Sequence, residues 1–188
     1  MAKAYLIEHG ETAEDRLGNV HGREHANDPL DRRGERQAAR LGAQLRRRMP
    51  SRIYTSPARR AQETARIAGA VAGVPVEVAE ELRPLDTGGL AGGNQRRAAE
   101  RLKPYLENPG RQIPGGETVA AWRKLHQQFA AKVAEGARKR GQAPPALVTH
   151  SAVVGSLAGG AAAAGKSMAH PPPPAEARLV DVGRGRRQ

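Results

Sequence analysis

The sequence predicts an α/β fold, a three-layer α/β/α sandwich around a mainly parallel sheet. Three observations predict it. Short apolar runs alternate with longer stretches of helical periodicity along most of the chain. Two of the runs, Ala4–Ile7 and Ala146–Thr149, lead directly towards a histidine, and the carboxyl edge of such a sheet is where ligands bind. The length of 188 residues suits one domain with a sizeable core. That domain is assigned to residues 1–182, and residues 183–188 are expected to be a flexible basic tail.

The elements follow in order. Ala4–Ile7 reads as the first strand, stopping at Glu8-His9-Gly10-Glu11-Thr12, with Thr12 suited to cap a helix. Glu35–Arg48 reads as a helix with Ala38, Leu41 and Leu45 on one stripe. Arg52–Tyr54 is a short strand. Ser56-Pro57 is read as the next helix start, Ser as N-cap and Pro in the first turn, with Ala61, Thr64, Ala65, Ala68 and Val71 facing inward. Val76–Val78 is a strand and 85–93 a glycine-rich loop. Gln95–Leu106 is helical up to the Asn108-Pro109-Gly110 stop. In Glu117–Arg140 the residues Val119, Trp122, Leu125, Phe129 and Val133 step by three and four, predicting a long helix packed through that face. After strand Ala146–Thr149 and His150, an alanine-rich helix is expected to end near Gly165-Lys166. Four prolines follow, then a last strand within Ala177–Val182.

Composition narrows the function classes. Cysteine is absent, so disulfides and thiolate metal sites are excluded. No apolar run reaches the ~20 residues of a membrane span, and Met1-Ala2-Lys3 runs straight into a strand without a signal-peptide pattern. A cytoplasmic protein is expected. Net charge is +12, yet aromatics are only 3%, which leaves little to stack on bases. The arginines are scattered over helices, with clusters at 46–48 and 184–187, and no nucleic-acid-binding signature is present. The charge is therefore read as a background that can draw anionic small molecules such as phosphate esters towards a pocket, and neither nucleic acid nor membrane is an expected partner. Oligomeric state is not readable.

If the strands before His9, Ser56 and His150 are neighbours, two imidazoles and the guanidinium of Arg60 meet at one sheet edge. Arginine offers a planar fork to two oxygens of a tetrahedral anion, and a neutral imidazole can accept, donate or attack. These residues sit in four blocks: Glu8-His9-Gly10-Glu11-Thr12; Pro29-Leu30 with Gly34 and Gln37-Ala38; Ser56 to Ala65; and Val148-Thr149-His150-Ser151. In order and spacing they resemble the histidine phosphatase superfamily, the phosphoglycerate-mutase-like family, over residues 4 to about 165. Leu82-Arg83-Pro84-Leu85-Asp86, Gly88, Gly92 and Pro114-Gly115-Gly116-Glu117 look like a branch met in bacteria and phages.

The resemblance implies phosphomonoester hydrolysis through a phosphohistidine. His9 would be the nucleophile, Arg60 would hold phosphate oxygens, and His150 would stabilise the transferring group. No cofactor or metal is implied. Glu8 stands where the family places an arginine, and Asp15 where it places a phosphate-binding asparagine. An ionised Glu8 facing the phosphate would repel it, and Arg16, Arg23 or Arg83 would have to compensate. Pro84 stands where relatives carry the proton-donor glutamate, so Asp86 is the first choice for that role and Glu81 the second. Ser151 replaces the glycine after the second histidine. Glu8, Asp15, Arg16 and Ser151 are thus the expected substrate-binding positions. The alternative is a degenerate member that binds a phosphorylated ligand or partner without turnover. A metal variant using Glu8, His9, Asp15 and His150 has suitable ligand types but is not preferred.

Gly160 to Ser167 also fits the P-loop pattern. Its context argues against a nucleotide site, because no strand directly precedes it and Pro171–Pro174 stop any long helix after it. His21, His25, His126 and His170 are expected at surface or turn positions.

Overall fold

The structure is a computed structural model and describes residues 1–19, 26–90, 94–169 and 171–182. The chain runs β1 (Lys3–Glu8), α1 (Ala13–Arg16), α2 (Arg32–Arg48), β2 (Ile53–Thr55), α3 (Arg59–Ala72), β3 (Val76–Val78), α4 (Gln95–Glu107), α5 (Val119–Lys139), β4 (Ala146–Thr149), α6 (Ser151–Gly159), α7 (Ala161–Ala169) and β5 (Arg178–Asp181). Five strands form one sheet in the order β3-β2-β4-β1-β5. Four are parallel, and β5 adds an antiparallel edge beside β1.

Side-chain alternation along β1 explains the layers. Ala2, Ala4 and Leu6 pack with Ala130, Ala134, Leu147 and Val154, the face covered by α5 and α6. Ile7, with Ile53, Ala146 and Val148, packs against Leu41, Leu45, Ala61, Ala65 and Ala68 of α2 and α3. A third apolar cluster joins Leu102 and Tyr105 of α4 to Trp122 of α5 and Ala164 of α7. The predicted three-layer α/β/α architecture is the observed one. No helix among the described residues is long and apolar enough to cross a membrane.

Several local expectations change. Helix α3 starts at Arg59 with Ala58 as N-cap and no side-chain cap, so Ser56 does not cap it. The alanine-rich stretch after β4 is two helices rather than one, broken at Gly160 with φ 85°. The P-loop-like run lies on that break and along α7, with α6 rather than a strand before it. Helix α5 buries Val119, Trp122, His126, Ala130, Ala134 and Ala137. Its inner face is thus turned by about one position from the predicted stripe, and Leu125, Phe129 and Val133 lie half-buried at its flank. His126 is accordingly a core residue, not a surface one. Its Nε2 lies 2.9 Å from Ser156 Oγ on α6, and burial, with Arg123 adding repulsion, pulls its pKa down to about 3. His21, Arg23, His25, Gly92, His170 and the tail 183–188 lie outside the described residues.

Candidate active site

The sheet topology brings the two histidines together. Strands β1 and β4 are adjacent and parallel, with Glu8 opposite Thr149. The next residue on each strand is a histidine, so His9 and His150 emerge side by side, and the His9 amide donates to the Thr149 carbonyl at 3.0 Å. From β1 the chain crosses through α2 to β2. From β4 it returns through α6 and α7 to β5, beyond β1. The paired histidines therefore stand at a topological switch point of the sheet. Their ring centroids are 5.3 Å apart in an edge arrangement.

Arg60, in the first turn of α3, lies between the rings. Its Nε donates to His9 Nε2 at 3.1 Å and its NH2 reaches His150 Nδ1 at 3.3 Å. His9 Nδ1 lies 2.8 Å from the Gly10 carbonyl. A carbonyl only accepts, so that nitrogen carries the proton and Nε2 keeps its lone pair. The same logic fixes His150. Arginine only donates, so Nδ1 is the acceptor and Nε2–H donates to Ser56 Oγ at 2.8 Å. Ser56 is a site residue that the capping interpretation missed. The Ser-Pro block contained it, but its role depends on β2 lying next to β4, with Ser56 N bonded to the Val148 carbonyl at 3.0 Å.

All three central groups are buried: His9 5%, Arg60 2% and His150 6% exposed. Burial pulls the Arg60 pKa down to about 10, against the opposing pull of Asp15, Asp28 and Glu8, so the guanidinium stays cationic near neutral pH. The positive charge thus sits out of water, where its field is little screened. The neighbouring Arg59, not Arg60, makes the exposed helix pair with Glu63, at 2.7 Å. Glu63 also accepts from the Leu30 amide at 2.8 Å, tying the second block to the third.

The loop after β1 is held tightly. The Gly10 amide donates to Thr64 Oγ1 at 2.9 Å. A Cβ on Gly10 would come 2.8 Å from the Gly34 carbonyl, and one on Gly34 would collide with the backbone of Glu11. The amide and side chain of Glu11 both pair with Gln37. The Gly and Gln of the second block are therefore there to seat α2 against the His9 loop.

The remaining expected positions divide. Glu8 is 8% exposed, and its Oε2 is enclosed without a hydrogen-bond partner among the described residues. Burial first, and Asp15 second, raise its pKa well above the carboxylate range. Ser151, Arg178 and Arg60 act in the opposite sense. Ionisation of Glu8, the condition on which repulsion of a phosphate depends, is thus disfavoured where the carboxyl stands. Asp15 closes a capping box with Thr12, whose amide donates to Asp15 Oδ2 at 2.8 Å, and remains close enough to act on both Glu8 and Arg60. Arg16 is exposed and paired with Asp31 at 3.0 Å. Arg83 is held by both carboxylate oxygens of Glu117. Neither fills the place of the missing arginine, and Arg23 lies outside the described residues. Asp86 accepts from the Gly88 amide at 3.1 Å, and its own amide donates to Glu117 at 2.9 Å. The segment before it crosses the sheet edge, where Thr149 Oγ1 donates to the Leu82 carbonyl at 2.7 Å. Among the described residues no cluster of three His, Asp or Glu side chains is arranged to hold a metal.

The chain and its fold have counterparts among known proteins. The family model of the histidine phosphatase superfamily (branch 1) matches residues 4–187. The "probable phosphoglycerate mutase GpmB" of Yersinia enterocolitica is 30% identical over 166 residues, covering 84% of this chain and 73% of that protein. Among solved structures, TTHB049 from Thermus thermophilus is 29% identical with a TM-score of 0.65, covering 95% of this chain and 93% of that one. A mycobacterial glucosyl-3-phosphoglycerate phosphatase shares the fold, with a TM-score of 0.70 at 22% identity over 84% of this chain and 80% of that one.

Proposed function

Because the chain belongs to the histidine phosphatase superfamily, we propose that it hydrolyses a small phosphomonoester through a phosphohistidine on His9. The observation that carries this reading is the lone pair of His9 Nε2, kept unprotonated by the Gly10 carbonyl on the other nitrogen and held beside the Arg60 guanidinium. A nucleophile needs that lone pair, and the phosphoryl group needs that cation. The relatives are named as phosphatases and mutases. Hydrolysis is the member of that pair proposed for this chain.

In this reading Arg60 turns from the imidazoles to two phosphoryl oxygens as the ester enters. His9 Nε2 attacks phosphorus in line and the ester P–O bond breaks. His150 stabilises the equatorial charge, its tautomer set by Ser56. Asp86, with Glu81 as second choice, protonates the departing alkoxide. Water then attacks phosphorus, giving a proton to the carboxylate left by the first step; the P–N bond breaks, releasing phosphate and regenerating His9. Protein cations supply the charge stabilisation, so turnover proceeds without a divalent ion.

Incubation with a 32P-labelled phosphomonoester tests the assignment. An acid-labile, alkali-stable label is expected on the wild type and not on His9→Ala. Label that persists in His9→Ala removes His9 from the role. Turnover is expected to survive chelator, and loss in EDTA with recovery on one divalent ion would reinstate the metal variant.

A further inference from the structure

The Glu8 carboxyl has no use in the phosphohistidine reading. It immediately precedes His9, at the end of the strand that delivers the nucleophile. It is almost wholly enclosed, and Oε2 has no hydrogen-bond partner among the described residues. A carboxylate left so placed would carry an unpaired charge out of water, a costly state that a proton removes.

The groups acting on it come from every side of the sheet edge. Asp15 of α1 opposes its ionisation, while Ser151 of α6, Arg178 of β5 and Arg60 of α3 favour it. The imidazoles of His9 and His150 lie at the ends of β1 and β4. Burial outweighs the favourable contacts. Arg60 is thus a shared neighbour: it acts on Glu8 and bonds both imidazoles.

We propose that Glu8 serves the site in its protonated form, as a neutral hydrogen-bond donor to the bound tetrahedral oxyanion, so that loss of its proton releases the anion. The proposal rests on the phosphoryl-site reading above and adds to it a specificity rule. A carboxylic O–H gives one donor without a positive charge. An ionised carboxylate offers only acceptors, and these repel phosphoryl oxygens. The site is therefore selective for the protonation state of the enzyme, and it favours esters at mildly acidic over alkaline pH.

Inorganic sulfate is the probe, because it keeps one tetrahedral dianionic form across the range and its own titration does not intrude. Its affinity is measured by calorimetry at low salt for the wild type and Glu8→Gln, from about pH 5 to about pH 8. The glutamine keeps the shape and an N–H donor but has no proton to lose. Any pH dependence common to the two proteins cancels in the comparison. The wild type is expected to lose at least about tenfold more affinity than Glu8→Gln over that range. Superimposable profiles, or no sulfate binding by either protein, overturn the proposal.

The side-chain 13C carboxyl resonance of Glu8 in the intact wild type is a second readout that needs no variant. Its midpoint is expected above the usual carboxylate range and should rise further with sulfate, as reciprocal linkage requires. A Glu8 already ionised at about pH 5 also overturns it. The His9 labelling experiment is read separately. Label on His9 with superimposable sulfate profiles removes Glu8's role and leaves the phosphohistidine reading standing. Absence of label with a Glu8-dependent sulfate profile does the reverse.

Discussion

At the scale of single residues, two tautomers and one buried cation define the chemistry. A carbonyl fixes the proton of His9 on Nδ1, and a guanidinium fixes that of His150 on Nε2. Glu8 is the residue that most distinguishes this site. A guanidinium in place of this carboxyl, beside Asp15, would add positive charge to the proposed phosphoryl site. Glu8→Arg is expected to lower the vanadate dissociation constant by at least about tenfold, a modest part of the Coulomb attraction between near charges. Calorimetry at low salt checks it, and unchanged affinity would show that this side chain does not reach the anion. His9, Arg60 and His150 were legible in the sequence because their residue types and block spacing carry chemistry. The pairing of Ser56 with His150 was not, since it depends on strand order. The upward pKa shift of Glu8 was not legible either, because it depends on burial and on neighbours from α1, α6 and β5 together.

At the scale of elements, the site depends on α2 and α3 being seated closely against the strand ends. Gly34 lets the first turn of α2 touch the loop after His9. Gly34→Ala should gain helix propensity, yet its methyl meets backbone that cannot rotate away. A net loss of about 2 kcal/mol is expected, read by urea unfolding, with turnover falling as the loop shifts. Equal stability would show that the loop yields. Helix α5 shows where sequence periodicity ran out. Its stripe of large residues gave the element and its length but not its phase. The small residues Ala130 and Ala134 let it approach the sheet, and His126 turned inward to meet Ser156. Because the folded pKa of His126 is depressed to about 3, the folded state holds it neutral while the unfolded chain protonates near its usual value of about 6.5. Its contribution is present above that value and is lost as pH falls through the window between the two. Going from pH 7 to pH 5 should cost about 2 kcal/mol through this one proton. His126→Gln should lack that loss, and equal pH slopes in the two proteins would contradict the assignment.

At the scale of the whole molecule, the net charge of +12 bears on how an anionic ester arrives rather than on the chemical step. The outer face of α2 exposes Arg32, Arg36, Arg40 and Arg47, and none of these four has an acidic partner among the described residues. The amino end of the same helix is packed against the His9 loop, so this field extends up to the site. A field of one sign raises the local concentration of an oppositely charged substrate, and salt shortens its range. The bound state is affected less, because Arg60 and the imidazoles are buried and weakly screened. These two facts separate the kinetic constants. Raising NaCl from about 20 to about 200 mM should lower kcat/KM several-fold while kcat changes little. Replacing Arg36, Arg40 and Arg47 together by glutamine should lower kcat/KM at low salt and flatten its salt dependence, with kcat retained. A slope unchanged by the triple substitution would move the source of the field elsewhere on the surface. A salt effect confined to kcat would place the sensitive step after binding and remove the steering argument.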